Sequence, residues 1–220
     1  MPGATHCSRC GGALVRRVPP GEDRPRDVCE RCGTIHYENP RVVVGTAVER
    51  GDEVLLCRRA IEPRRGFWTL PAGFLELGES TVDGARRETF EETGVRVDVV
   101  APLVCFDIVR IGQIFMIYRA ALRSPDDGAH AASTSESLEV RWFPWPELPW
   151  DELAFDATRF ALERLAADRA AGRPRAHYGT LGPKVPGVFG PWGTTIVEQA
   201  WSVALETRAD PDLGVGLTNR

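Results

Sequence analysis

Beyond residue 41 the chain falls into short apolar runs separated by polar and turn residues. Val42 to Val48 and Val54 to Arg59 are two such runs, and Arg50-Gly51-Asp52-Glu53 between them predicts a hairpin. Val95 to Val109 and Ile114 to Leu122 predict two more strands around a Gly112-Gln113 turn, and Ser137 to Phe143 predicts another. Helical spacing replaces these runs in two places. Ser80 can cap a helix, with Asp83 completing a capping box and Gly94 standing where a left-handed stop belongs. Asp151 to Ala171 predicts a second helix, with Thr158, Ala161, Leu162, Leu165 and Ala166 on one face and Gly172 and Pro174 after it. Asp126 to Ser135 reads as a surface loop. Leu181 to Gly193 is Gly/Pro-rich and reads as a linker. Thr194 to Arg208 is expected to be a helix aligning Val197, Trp201, Ala204 and Leu205, and either a dimer contact or packing on the chain's own body would use that face. Strands interleaved with two helices predict an α/β fold with a mixed sheet between helices.

Residues 1–40 follow a different rule. Cys7-Ser-Arg-Cys10 and Cys29-Glu-Arg-Cys32 are two CxxC knuckles separated by 18 residues. That spacing matches a four-cysteine zinc site, with disulfides or free thiols as the alternative. Four thiolates close the tetrahedron, so such an ion is structural. The stretch between the knuckles is rich in Pro, Gly and charge, so metal binding has to supply its folding energy. Cys57 and Cys105 fall in apolar runs and read as buried, inert thiols.

The helix from Ser80 to Gly94 carries the strongest chemical signal. Glu88 has Glu91 at i+3 and Glu92 at i+4, so three carboxylates share one side at the negative end of the helix dipole. Like charges at that spacing cost about 0.2–0.5 kcal/mol per pair. Arg86 and Arg87 cannot neutralise this cluster and Glu79 as well. A divalent cation can, and oxygen ligands suit Mg2+ or Mn2+; a solvated acidic helix end is the alternative. Other candidates are weaker. Arg58 and Arg59 close a strand, where one could face a diphosphate or both could be surface charge. Trp68 could stack on a ring or belong to the core. Glu136 and Glu139, at the start of the last predicted strand, could reach the metal or accept a proton, or be exposed loop acids.

Gly73, five residues, Glu79, seven residues, then Arg87-Glu88-Thr89-Phe90-Glu91-Glu92-Thr93-Gly94-Val95 resembles the signature of the Nudix hydrolases. Thr89 departs from it, standing where a larger aliphatic residue is usual. The knuckles, YENPRVVVG, LLCRR…GFWTLPAGFLELGES, ESLEVRWF and HYGT at 177–180 resemble one subgroup, the plant plastid FAD/ADP-ribose pyrophosphatase and its bacterial relatives. The resemblance covers about residues 7–180. It implies a zinc ribbon over 1–40, a Nudix α/β/α sandwich over 41–180 and an extension over 181–220.

It also implies hydrolysis of a P–O–P bridge, with FAD giving FMN and AMP, or ADP-ribose giving ribose 5-phosphate and AMP. Glu88 and Glu92 would be the main Mg2+ or Mn2+ ligands, Glu91 and the Ala72 carbonyl would assist, Arg87 would hold the glutamates and Glu79 would brace the loop or bind through water. A functional glutamate is expected at 136 or 139. Phe106, Gln113, Phe115 and Tyr118 are candidates for a nucleotide pocket, strand packing being the alternative for each. Neighbouring NADH pyrophosphatases carry an SQPWPFPxS-like motif after the acidic helix. Here that region reads VDVVAPLVCFDIVRIGQIF, which argues against NADH. NADH pyrophosphatase activity, RNA decapping and non-catalytic nucleotide sensing stand as alternatives.

Composition narrows the partners. The net charge of −4 gives no broad basic surface, so nucleic acid is not an expected partner. The first ten residues contain no apolar run, and no stretch approaches a membrane span, so a cytoplasmic enzyme is expected.

Overall fold

The computed structural model describes residues 5–184 and 194–204, the side chains of 182–184 and 194–204 excepted. The chain divides into two compact units, Met1–Pro40 and Arg41–Arg220.

The first unit is a three-stranded antiparallel sheet of β1 (Leu14–Arg17), β2 (Arg26–Cys29) and β3 (Ile35–His36). Both knuckles turn in the same way. Gly11 N–H donates to Cys7 O at 2.9 Å, and Gly33 N–H donates to Cys29 O at 3.0 Å. Gly11 and Gly33 take φ of 71° and 70°, a left-handed backbone that glycine adopts without strain.

The second unit is built on one mixed sheet. Its strands are β4 (Arg41–Arg50), β5 (Glu53–Arg59), β6 (Trp68–Thr69), β7 (Ala72–Phe74), β8 (Val97–Ile108), β9 (Gln113–Leu122), β10 (Ser137–Pro144), β11 (Arg175–Lys184) and β12 (Thr194–Ala204). The order is β10-β5-β4-β9-β8-β11-β12, with β6 pairing β5 and β7 pairing β4. The β4–β9 and β8–β11 pairs are parallel. Helix α1 (Thr81–Thr93) and helix α2 (Asp156–Ala171) pack on the sheet. The main core gathers Leu103, Phe106 and Ile117 of the sheet with Phe160, Leu162 and Leu165 of α2. Val44, Ala85 and Tyr118 form a smaller cluster where α1 meets β4 and β9. Among the described residues no helix is long and apolar enough to cross a membrane.

Four expectations change. Residues 194–204 form β12 rather than a helix, antiparallel to β11 in a register from Arg175↔Ala204 to Lys184↔Thr194. Thr194, Thr195, Ile196 and Val197 are β-branched, and β11 offers them an open edge. Residues 205–208 of that expected helix lie outside the described residues. The first residues of the linker expected from Leu181 are the end of β11, through Lys184, and residues 185–193 lie outside the described residues. Helix α2 starts at Asp156, five residues later than expected, because Ala154 N–H donates to Trp68 O at 2.7 Å and keeps the chain extended up to Phe155. Within the expected surface loop, residues 125–130 make a short helical turn capped by Ser124 and Asp127.

Candidate active site

Helix α1 is fixed at both ends. Ser80 Oγ accepts the Asp83 N–H at 3.1 Å and donates to the Asp83 carboxylate at 2.6 Å, and Gly94 closes the C-terminus at φ 71°. The buried face of the helix carries Gly84, Ala85, Glu88, Thr89, Glu92 and Thr93. The helical period therefore drives Glu88 and Glu92 inward, to 7% and 8% exposure, and leaves Glu91 on the exposed flank. Gly73 of β7 makes room for Glu88, since a Cβ there would lie 2.2 Å from Glu88 Oε2.

Arg87 spends its guanidinium on the surrounding acids. Nε and Nη2 donate to the two Glu79 oxygens at 3.0 and 2.6 Å; Nη1 donates to Glu88 at 2.8 Å and Glu91 at 2.9 Å. Nη2 also reaches Phe74 O at 3.1 Å. The Arg87 hydrogen bonds hold the Glu79 carboxyl below its usual range, and Glu79 in turn raises the Arg87 pKa. Glu79 also accepts the Glu76 N–H at 2.7 Å, tying the loop before the helix.

Glu92 is different. It accepts the Ala72 N–H at 2.9 Å and meets Cys57 Sγ at 3.5 Å, and among the described residues it has no ion-pair partner. Burial pushes its carboxyl up to about 7, against the Ala72 hydrogen bond. Burial raises Glu88 as well, with Arg87 opposing. A buried carboxylate lacking a cation, beside a second one and next to Ala72, has the donor chemistry a hard divalent ion takes. Among the described residues no third side-chain donor converges with this pair. Two carboxylates plus substrate oxygens is the usual Mg2+ arrangement. Arg87 holds Glu91 aside.

The two loop glutamates separate. Glu139 sits opposite Arg58 in the β10–β5 ladder and pairs with it at 3.6 Å. Glu136 has no ion pair among the described residues, and its charge adds to the rise in the Glu88 pKa, so it stands within electrostatic reach of the site. The arginines separate too. Arg58 donates to Gly66 O at 2.7 Å and lies over Trp68, besides its pairing with Glu139. Arg59 donates to Pro63 O at 2.9 Å and stacks over Phe155, and its charge lowers the pKa of Glu92.

The aromatic candidates lie in the core. Trp68 is 5% exposed and meets Phe143 edge-on at 4.8 Å, while Phe106 is buried between Phe115 and Phe160. Both belong to the main core, so neither offers a face to a ligand. Tyr118 is buried with its hydroxyl 2.7 Å from Thr81 Oγ1. Gln113 pairs with Arg41, four residues along β4 from Gly45 opposite Ala72, a span of about 13 Å. Cys57 gained a neighbour that the apolar run around it does not disclose: the Glu92 carboxylate, which together with burial raises its thiol pKa well above normal.

In the first unit, the sulfur atoms of Cys7, Cys10, Cys29 and Cys32 all lie within 4.8 Å of one another. The Cys7–Cys32 and Cys10–Cys29 separations are 3.8 and 3.5 Å. A tetrahedron with Zn–S bonds of about 2.3 Å has edges of about 3.8 Å, so the four thiols fit the ion. Hydrogen bonding from Thr34 holds the Cys32 thiol down to about 6, and His36 Nε2 lies 3.3 Å from Cys7 Sγ.

A family model described as NUDIX domain matches residues 39–163. The chain belongs to the Nudix family. A second model, the Nudix N-terminal zinc ribbon, matches residues 5–38. A solved Nudix hydrolase from Nitrosomonas europaea superposes with a TM-score of 0.76 at 44% identity, covering 80% of this chain and 98% of that one. Among curated relatives, the NAD-capped RNA hydrolase NudC of Photobacterium profundum is 35% identical over 91 residues, 41% of this chain and 32% of the relative. A MutT-like protein of Streptomyces ambofaciens is 36% identical over 100 residues, 46% of this chain and 60% of the relative. The chain thus spans about a third of the length of the first NudC relatives it matches. The two matches together give a Nudix domain preceded by an N-terminal zinc ribbon.

Proposed function

We propose that the chain hydrolyses the diphosphate bridge of a small nucleoside diphosphate derivative of the FAD or ADP-ribose type. The observation that carries this reading is the Glu88–Glu92 pair, buried against Ala72, with no ion-pair partner for Glu92 among the described residues. Glu88, Glu92 and the Ala72 carbonyl would hold Mg2+ or Mn2+. Bound there, the ion would neutralise charge on the diphosphate oxygens and lower the pKa of a bound water. Glu136 accepts the proton of the attacking water as its oxygen bonds to phosphorus and the bridging P–O bond breaks, the bridging oxygen leaving with the other phosphate. Arg87 keeps Glu88 and Glu79 in place. Arg59 supplies the positive charge that draws the diphosphate toward the carboxylates.

The NADH-type motif is missing from the region that forms β8, the turn at 109–111 and β9, which favours FAD or ADP-ribose over NADH. A second reading, hydrolysis of NAD-capped RNA, is favoured by the names of the NudC relatives. The test is kcat/KM for FAD, ADP-ribose, NADH and NAD-capped RNA with Mg2+ or Mn2+. FMN and AMP from FAD, or ribose 5-phosphate and AMP from ADP-ribose, at the highest kcat/KM supports the first reading. NAD-capped RNA as the best substrate replaces it with the second.

A further inference from the structure

Both halves of the carboxylate site rest on one dipeptide of β4. Gly45 lies opposite Ala72 in the β4–β7 ladder, and a Cβ on it would fall 2.3 Å from Pro71 O and 2.4 Å from Ala72 Cβ. Thr46, next in the chain, donates its backbone N–H to Pro71 O at 3.1 Å. Its hydroxyl meets Thr89 Oγ1 of α1 at 2.6 Å, and both threonines are fully buried. The Thr89 hydroxyl donates to Ala85 O at 2.7 Å, and a hydroxyl has one proton, so Thr46 is the donor in the pair. Close approach continues one turn earlier: a Cβ on Gly84 would lie 3.0 Å from Val44 Cγ2.

We infer that Gly45 and Thr46, with Thr89, are positioning residues that set the spacing between Ala72 and the Glu88–Glu92 carboxylates. Gly45 fixes how near the Pro71–Ala72 segment lies to β4. The Thr46–Thr89 bond fixes how near α1 lies to the same strand. Two hydroxyl oxygens at 2.6 Å sit closer than two methyl groups, which meet at about 4 Å. A hydrocarbon pair at these positions would lift α1 by about 1 Å and carry Glu88 and Glu92 away from Ala72. Misplacement on that scale can cost a reaction about a hundredfold. The departure at Thr89 from the aliphatic residue of the Nudix signature is thus matched by Thr46 across the interface.

This inference rests on Glu88 and Glu92 being the cation site, so Glu92→Gln is the control. The decisive variant is Thr46→Val/Thr89→Val, which removes both polar partners and leaves no unpaired hydroxyl. Mn2+ binding is read by electron paramagnetic resonance, which the ribbon's zinc does not disturb, alongside the urea midpoint and the steady-state constants. The expected result is a near wild-type midpoint, Mn2+ affinity weakened about tenfold, and kcat reduced ten- to a hundredfold at unchanged KM. Thr46→Ser keeps the hydroxyl and is expected to retain both affinity and kcat. A folded double-valine variant with wild-type Mn2+ affinity and kcat overturns the inference, as does an equal loss in Thr46→Ser. Should the double variant not fold, Thr46→Val puts a methyl group against the Thr89 hydroxyl, which keeps its bond to Ala85 O, and gives the same readout: weakened Mn2+ binding supports positioning, and wild-type binding refutes it. If Glu92→Gln binds Mn2+ like wild type, the cation-site reading itself is wrong, a result distinct from either of these.

Discussion

Removing the charge of Glu92 should make the protein more stable while destroying its activity. The magnitude follows from its surroundings. Burial takes the Glu92 carboxyl from an ordinary 4.5 to about 7 in the folded chain without Mg2+ or Mn2+. A folded pKa above the unfolded one means the folded state binds the proton more tightly. The stabilising contribution is therefore full below pH 4.5 and is lost as pH rises through 7. At about 1.4 kcal/mol per unit, ionised Glu92 costs the fold about 3 kcal/mol at pH 8.5. At 8% exposure, solvent relieves little of that. Glu92→Gln carries no charge at any pH, and its amide oxygen can still accept the Ala72 N–H. The variant should gain up to about 3 kcal/mol at pH 8.5 and little at pH 5. With a urea slope of about 2 kcal/mol/M, the midpoint rises by up to roughly 1.5 M. The assay is urea unfolding of zinc-loaded protein without Mg2+ or Mn2+, followed by tryptophan fluorescence. All six tryptophans lie between residues 68 and 201, so the signal reports the second unit and not the ribbon. Mg2+ should then raise the wild-type midpoint at pH 8.5 and leave the variant unmoved. A gain of the same size at pH 5 and pH 8.5, or no gain, would refute the reasoning.

Other substitutions test the remaining parts of the site. Glu136→Gln should lower kcat about a hundredfold or more, a typical contribution of a general base, while Glu139→Gln, which breaks only the pairing with Arg58, should stay within about threefold of wild type in steady-state assays. Arg59→Ala should raise KM for the diphosphate substrate about tenfold with a smaller effect on kcat; an unchanged KM would remove Arg59 from the substrate site. Zinc should bind in a 1:1 ratio by elemental analysis, and Cys10→Ser should lower that content and expose the first unit to proteolysis. Asp168→Asn should destabilise the second unit by about 3 kcal/mol or more in denaturant, because Asp168 is buried and accepts from Arg119, from His177 at 3.0 Å and from the Arg175 N–H at 3.0 Å.

What the sequence disclosed followed from local chemistry. Apolar runs bounded by turn residues marked β4, β5, β8, β9 and β10, and β4 and β5 are buried at consecutive positions along the strand. Ser80 and Gly94 marked the ends of α1, because capping depends on side chains within a turn. The carboxylate spacing placed Glu88 and Glu92 together, but it could not separate Glu91 from them; that took Arg87, which holds Glu91 on the flank. Pairing across the sheet was equally silent. The choice between Glu136 and Glu139 depends on Arg58, 81 residues before Glu139 and opposite it only through the β5–β10 register. Val197, Trp201 and Ala204 fall at helical spacing by coincidence of composition, whereas the free edge of β11 decided that residues 194–204 became a strand. Gly45 and Thr46 carried no motif. The signal that could have led to them was Thr89, a hydroxyl at a packing position, which requires a buried partner.

The most direct test of the site is anomalous diffraction from crystals soaked in Mn2+. The expected result is a Mn2+ peak bounded by Glu88, Glu92 and the carbonyl of Ala72, absent in Glu92→Gln crystals soaked in parallel. A Mn2+ peak elsewhere in an active wild-type protein, or one that persists unchanged in the variant, would contradict the assignment of the Glu88–Glu92 pair as the centre of the chemistry.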